Sequence, residues 1–256
     1  PTRRPMGQLK SPDEEQPEFA ACRRLDYETE LGVFVGPGSE LGTSVPLDKA
    51  EDHIFGLCIL NDWSARDIQT WEYQPLGPFM AKNFCSIISP WVVTLEALAP
   101  YRIPVFQRPD EDPIPLPYLN TGNHQTSGGL DIDLEVSVLT DRMRRNGNEP
   151  RIIGRPSFKD MYWTIFQMLT HHTSNGCNLN PGDLYGSGTI SGATPESYGS
   201  ILEACKGGKE LIDFPNDETR TFIEDGDEVI MRAWCQGKGR ARIGFGECRS
   251  LIVPSA

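Results

Sequence analysis

The run Leu25-Asp26-Tyr27-Glu28-Thr29-Glu30-Leu31 alternates with a period of two. Leu25, Tyr27, Thr29 and Leu31 fall on one side and Asp26, Glu28 and Glu30 on the other, which predicts a strand. It continues through Gly32-Val33-Phe34-Val35 until Gly36-Pro37-Gly38 turns it. A second alternation over 129–139 sets Leu130, Ile132, Leu134 and Val136 against Asp131, Asp133 and Glu135, and predicts another strand. Phe55 to Leu60 is a short apolar run of buried-strand length that ends at Asn61-Asp62, after which 62–73 reads as helix. A longer helix is predicted from Ser157, its N-cap, with Asp160 in the capping-box position, to about Thr173, where Asn175-Gly176 stops it. Pro46-Leu47-Asp48 opens a short helix capped by Asp48. Gly182 to Ile190 reads as a Gly-rich strand, 219–223 and 228–233 as a hairpin about Asp225-Gly226, and 242–253 as one or two closing strands. Residues 1–18 are polar and Pro-rich and read as extended; 100–118 read as a long surface loop.

These elements amount to a β-rich mixed α/β chain, and 25 Gly with 21 Pro favour many turns over a helical bundle. At 256 residues a single domain over 1–256 is the expectation. A formal net charge of −12 argues against nucleic acid or an anionic membrane surface as partner. No stretch reaches the roughly 18 apolar residues that span a bilayer. The seven Cys form no C-x-x-C pair and sit mostly beside apolar residues, as small buried hydrophobes do in a reducing, cytoplasmic compartment. The chain opens on Pro1-Thr2-Arg3-Arg4-Pro5 rather than Met, and is expected to continue a longer one.

Four constellations can carry chemistry. Glu28 and Glu30, two apart on a strand, project from one face about 7 Å apart, with Asp26 beside them. Solvated, such a face means little. Buried, mutual repulsion would raise the pKa values unless a cation neutralised them, and oxygen ligands suit Mg2+, Ca2+ or Mn2+. Asp62, Arg66, Gln69 and Tyr73 fall at i, i+4, i+7 and i+11, one face of the predicted helix, either exposed or part of a site at the strand's mouth. Lys82, between apolar neighbours, either snorkels to solvent or supplies a fixed positive charge. The glycines of 183–192 lack a phosphate-loop pattern and fit close backbone approach. Glu203, in Ile201-Leu202-Glu203-Ala204-Cys205, is either a candidate general base or an exposed acid on an alternating strand. His171-His172 are adjacent, and diverge by about 100° on a helix, so they do not readily share an ion. His53 and His124 lack partner spacing.

Together these segments resemble the fumarylacetoacetase family. The resemblance is carried by Arg3-Arg4-Pro5-Met6-Gly7-Gln8, Leu25 to Glu30, Asn61-Asp62-Trp63-Ser64-Ala65-Arg66-Asp67-Ile68-Gln69, Trp71-Glu72-Tyr73 and Pro75-Leu76-Gly77-Pro78-Phe79. Ser89-Pro90-Trp91, Met161-Tyr162-Trp163-Thr164, Thr170-His171-His172 and Gly188-Thr189-Ile190-Ser191-Gly192 extend it to nearly the whole chain. The two-Trp helix and the Thr-His-His segment favour the eukaryote-like branch over the shorter acylpyruvate hydrolases.

The resemblance implies a β-sandwich roll with a few short helices, a homodimer, and metal-dependent hydrolysis of 4-fumarylacetoacetate, a β-diketo acid, to fumarate and acetoacetate. It implies Glu28, Glu30 and Asp62 as ligands of Mg2+ and/or Ca2+, with Lys82 and Ser86 helping to hold a second cation. Ser86 stands where Thr is more usual and keeps the hydroxyl. Gln69, Tyr73 and Thr189 match substrate contacts. Arg66, Gln69 and Lys82 match groups that meet developing negative charge, and Glu203 matches the carboxylate that orients a catalytic His. In the family pattern that His and a fourth acidic ligand lie upstream of the Arg-Arg-Pro-Met-Gly segment, so His53, His124, His171 and His172 do not fill the role. Residues 1–256 alone are expected to keep at most weak metal binding. The alternatives are an acylpyruvate hydrolase or a decarboxylase/isomerase of the same superfamily, or a non-catalytic fragment.

Overall fold

The computed structural model describes residues 1–9 and 16–256. Two five-stranded sheets hold the core. In the first, Thr2–Arg3, Ile243–Val253, Glu228–Cys235, Asp133–Leu139 and Arg151–Gly154 lie side by side, antiparallel except for Thr2–Arg3. In the second the order is Leu184–Gly186, Thr29–Val35, Ile54–Asp62 and Ser86–Ile88, with Val93–Thr94 on the opening residues of Ile54–Asp62. The sheets meet where Glu228–Cys235 and Ile243–Val253 pack on Ile54–Asp62. Leu57, Ile59, Val136, Met231 and Phe245 are buried in one continuous apolar core. Burial of this kind is what stabilises a two-layer fold, at about 25 cal/mol per Å² of apolar surface. The architecture is the expected strand-rich mixed α/β one, its helices short. Among the described residues no helix is long and apolar enough to cross a membrane.

Several local expectations are corrected. The strand read over 25–35 breaks into Leu25–Asp26 and Thr29–Val35, because Leu25–Asp26 pairs with Ser64–Ala65 while Glu28 bridges Ser200. The helix read over 62–73 begins only at Arg66 and ends at Glu72. Its expected first turn is committed elsewhere: Asp62 N donates to Glu28 O at 3.3 Å and Ala65 N to Ala81 O at 3.0 Å. Asp62 therefore closes a strand, and the four-residue helical stripe does not form. Ser157 opens only the single turn Phe158–Asp160, its hydroxyl spent on Ile132 O and Asp133. The main helix, Ile165–Thr173, is capped instead by a Thr164/Gln167 capping box. Asp48 sits inside the turn Leu47–His53 and caps nothing.

The hairpin about Asp225-Gly226 is absent among the described residues. Glu218–Arg220 pairs with Ile212–Phe214, and Glu228–Cys235 with its two sheet neighbours. Buried Asp227 draws Arg220 and the Glu224 amide onto itself, which folds the connection away from a tight turn. Of Gly182 to Ile190, only Leu184–Gly186 is strand. The extended lead-in over 1–18 forms short strands at Thr2–Arg3, Met6–Leu9 and from Glu18; its stretch 10–15 lies outside the described residues.

Candidate metal centre and active site

Thr29–Val35 and Ile54–Asp62 run antiparallel with Thr29 opposite Asn61 and Glu30 opposite Leu60. This register sets the beginning of one strand against the end of the other. Asn61 Oδ1 accepts from Glu28 N at 3.3 Å, which holds the kinked chain at the strand's start. Glu28, Glu30 and Asp62 thereby each place a carboxylate oxygen within 4.8 Å of the others. Ser86, opposite Asp62 in the next strand, donates its hydroxyl to Asp62 Oδ1 at 3.0 Å. Gly188 N donates to Glu30 Oε2 at 3.1 Å. At Gly186 a Cβ would lie 2.5 Å from the same oxygen, so any larger residue there would have to displace the Glu30 carboxylate.

Two cations stand against these acids. Lys82 Nζ is 2.6 Å from Glu28 Oε2 and 3.1 Å from Asp62 Oδ2. Arg66 reaches Glu28 Oε1 at 3.0 Å through NH1, and Asp26 Oδ2 at 2.8 and 2.6 Å through Nε and NH2. Asp26, fully buried, also accepts from Ile201 N at 2.8 Å and Leu202 N at 3.3 Å, the first amides of the helix that carries Glu203. The crowding shows in the acidities. Burial pushes the Glu28 carboxyl up, but Lys82 and Arg66 together hold it below the usual carboxylate range. Glu30 is pushed up to about 8, by burial first and then by the charges of Glu28 and Asp62. Asp26 is raised to about 6 because burial outweighs Arg66. Four carboxylates share two cations, and Glu30 bears the deficit. An all-oxygen set this short of positive charge fits a hard divalent cation.

The remaining predicted residues lie on chain segments that also carry residues of this centre or their hydrogen-bond partners. Gln69 Oε1 accepts from Arg66 NH1 at 3.1 Å, which turns the amide nitrogen away as a donor. Tyr73 follows the helix and is half exposed. Thr189 lies outside any strand, between Gly188, whose amide meets Glu30, and Ile190, whose amide meets Thr29 O. Glu203 is on the helix Ile201–Ala204, not on a strand as one reading had it. Its Oε2 accepts from Ser191 Oγ at 2.9 Å and Ser200 Oγ at 2.7 Å. Among the described residues no histidine joins the carboxylates. His53 Nδ1 pairs with Pro37 O, His124 Nε2 with Thr164 Oγ1 and His171 Nδ1 with the Tyr118 hydroxyl. A hollow of about 400 Å³ opens over Asp62, Lys82 and Ser86, walled by Pro78, Phe79 and Asn83. The tethering work of Asn61 and Asp26 was not foreseen. Their signal was local: polar residues embedded in apolar strand sequence.

The family model described as Fumarylacetoacetate (FAA) hydrolase C-terminal matches residues 3–253. The chain belongs to this family. Fumarylacetoacetase of Homo sapiens is 51% identical over 255 residues, covering 100% of this chain and 58% of the relative. The Arabidopsis thaliana fumarylacetoacetase is 48% identical over 253 residues, covering 98% and 57%. The chain thus spans less than two thirds of the length of these curated relatives. Among solved structures, the FAA hydrolase of Exiguobacterium antarcticum superposes with a TM-score of 0.53 at 20% identity, covering 91% of this chain and 58% of that one. Fumarylpyruvate hydrolase from Pseudomonas aeruginosa, solved with Mn2+ and pyruvate, gives 0.53 at 18% identity, covering 99% and 73%. At such identities these two structures speak for the FAA hydrolase fold alone.

Proposed function

We propose that this chain supplies the metal-binding and charge-stabilising part of a fumarylacetoacetase, a hydrolase that splits a carbon–carbon bond of 4-fumarylacetoacetate into fumarate and acetoacetate. The observation that carries this reading is the cluster of Glu28, Glu30 and Asp62 oxygens within 4.8 Å, backed by Lys82 and Arg66. The three carboxylates would hold Mg2+ and/or Ca2+, with Lys82 and Ser86 helping to hold a second cation, and the metal would supply Lewis-acid polarisation of the diketone. Water adds to the carbonyl carbon beside the bond that breaks, and the bonding pair leaves with the acetoacetate carbon as an enolate, which is then protonated. Lys82 and the Gln69 amide meet that negative charge as it forms, and Arg66 adds its positive charge while fixing Gln69 and Glu28. Both serine hydroxyls on Glu203 donate to Oε2, which leaves Oε1 to accept an imidazole N–H. In the family pattern that imidazole lies N-terminal to the segment matching Arg3–Gln8. Tyr73 and Thr189 flank the site and contact substrate.

The reading includes one catalytic domain over 1–256, a homodimer checked by sedimentation equilibrium, and a cytoplasmic setting consistent with seven free thiols. The full-length protein with Mg2+ or Ca2+ is expected to consume 4-fumarylacetoacetate faster than acylpyruvates, and to stop when the metal is chelated. Faster turnover of acylpyruvates, or decarboxylation or isomerisation in place of hydrolysis, would overturn the substrate assignment. Turnover indifferent to chelator would overturn the metal's role.

A further inference from the structure

Glu72 is the last residue of the helix Arg66–Glu72, where the carbonyl ends concentrate negative charge and an acid is unfavourable. Its carboxylate turns onto the loop that follows. Oε1 accepts from Phe79 N and from Ala81 N, each at 2.7 Å, and Oε2 from Met80 N at 3.1 Å. Three consecutive amides of one loop thus converge on one side chain. The next residue is Lys82. Lys82 N and Asn83 N both donate to Phe79 O, at 3.1 and 3.0 Å, so the clamped segment sets the backbone from which the lysine rises.

Apolar packing does little to hold this loop. Leu76 is 80% exposed, Phe79 57% and Met80 58%. The buried methyl of Ala81, its carbonyl, which accepts from Ala65 N, and the Gly77 amide, which donates to Tyr73 O, form the other tethers. A polar clamp is therefore the main restraint on residues 79–80, and Pro78, Phe79 and Asn83 of the same loop wall the hollow above Asp62. We propose that Glu72 is the positioning residue for Lys82: through three loop amides it sets the ammonium between Glu28 and Asp62. The helix Arg66–Glu72 would then place both cations of the site, Arg66 from its first residue and Lys82 through its last. This inference rests on the role given to Lys82 in the proposed hydrolysis.

The test is a double-mutant cycle on the full-length protein, read together with amide hydrogen exchange. Glu72→Gln keeps the size but turns an NH2 donor toward an amide donor. It is expected to lower kcat by about 100-fold with KM little changed, as a misplacement of about 1 Å can. Lys82→Met should lose at least as much, and adding Glu72→Gln to it should cost nothing further. Exchange at Phe79, Met80 and Ala81 should quicken by about tenfold or more in Glu72→Gln, with Thr29–Val35 unchanged. Losses that multiply in the double variant, or exchange at 79–81 that stays slow, would overturn the inference. Full turnover by Lys82→Met would instead remove the catalytic reading of Lys82, and the exchange data would still decide whether Glu72 holds the loop.

Discussion

Among the described residues a hollow larger than the one over the carboxylates lies elsewhere. A groove of about 540 Å³ lies between Ile114–Leu116 and the helix Ile165–Thr173, against about 400 Å³ above Asp62 and Lys82. The groove is aromatic and electrostatically settled. Arg108 stacks 4.0 Å from the Tyr162 ring centre and 4.1 Å from that of Trp163, the Tyr162 hydroxyl donates to Asp112, and Tyr118 pairs with His171. At the carboxylates the balance is unsettled, with four acids on two cations and Glu30 pushed up to about 8. Volume measures what can fit. Buried charge without enough partners measures what the fold has been built to receive.

Three measurements would break or sharpen this contrast. The largest effect is expected at Asp26, which ties Arg66 to the amides of Ile201 and Leu202. Asp26→Ala leaves a buried guanidinium short of a partner and should lower stability by about 3–5 kcal/mol in urea unfolding. Trp163→Ala in the groove, where the ring is 37% exposed, should cost about 1 kcal/mol. Equal losses would erase the distinction. Next, Asp62→Asn should weaken Mg2+ or Mn2+ binding to the full-length protein by roughly 100-fold in calorimetry, and Trp163→Ala should leave it within about twofold.

The smallest effect is expected at His124, whose Nε2 pairs with Thr164 at the start of the helix that walls the groove. Burial first, and the Arg102 charge second, lower His124 to about 4, so the folded protein keeps this ring neutral. Unfolding lets it take up a proton, and its contribution is complete above about pH 6.5 and is lost as pH falls toward 4. Allowing for partial solvent access, about 2 kcal/mol should disappear over that window. His124→Gln should remove this part of the acid sensitivity. A wild-type and variant difference that stays flat from pH 7 to 4 would refute the assignment.

Local periodicity carried the strands further than the caps. The alternation at 25–31 located the carboxylates, but it could not say that both faces of Thr29–Val35 are covered, since burial comes from strands distant in sequence. Spacing at i, i+4, i+7 through Arg66 and Gln69 places Asp62 on a helix. The backbone at 62 and 65 had already been taken by Glu28 and Ala81. Ser157-x-x-Asp160 and Thr164-x-x-Gln167 are equally good capping patterns in sequence; Ser157 loses because its hydroxyl has a tertiary partner. The strand reading of Glu203 misses a four-residue helix, which is too short to show a period. The motif residues themselves were legible throughout. What was not legible was which side chain restrains which segment, as Glu72 does for 79–81.

Asp26 and Ile201 lie 175 residues apart, yet one carboxylate joins them. During synthesis on the ribosome the strand bearing Glu28 and Glu30 emerges long before those amides exist. Until residues 201–202 arrive, the Arg66–Asp26 pair lacks the two backbone amides it docks on. The last tether of this centre therefore closes a long loop late in the life of the nascent chain. A lesion anywhere between the two partners can delay it without touching a single ligand.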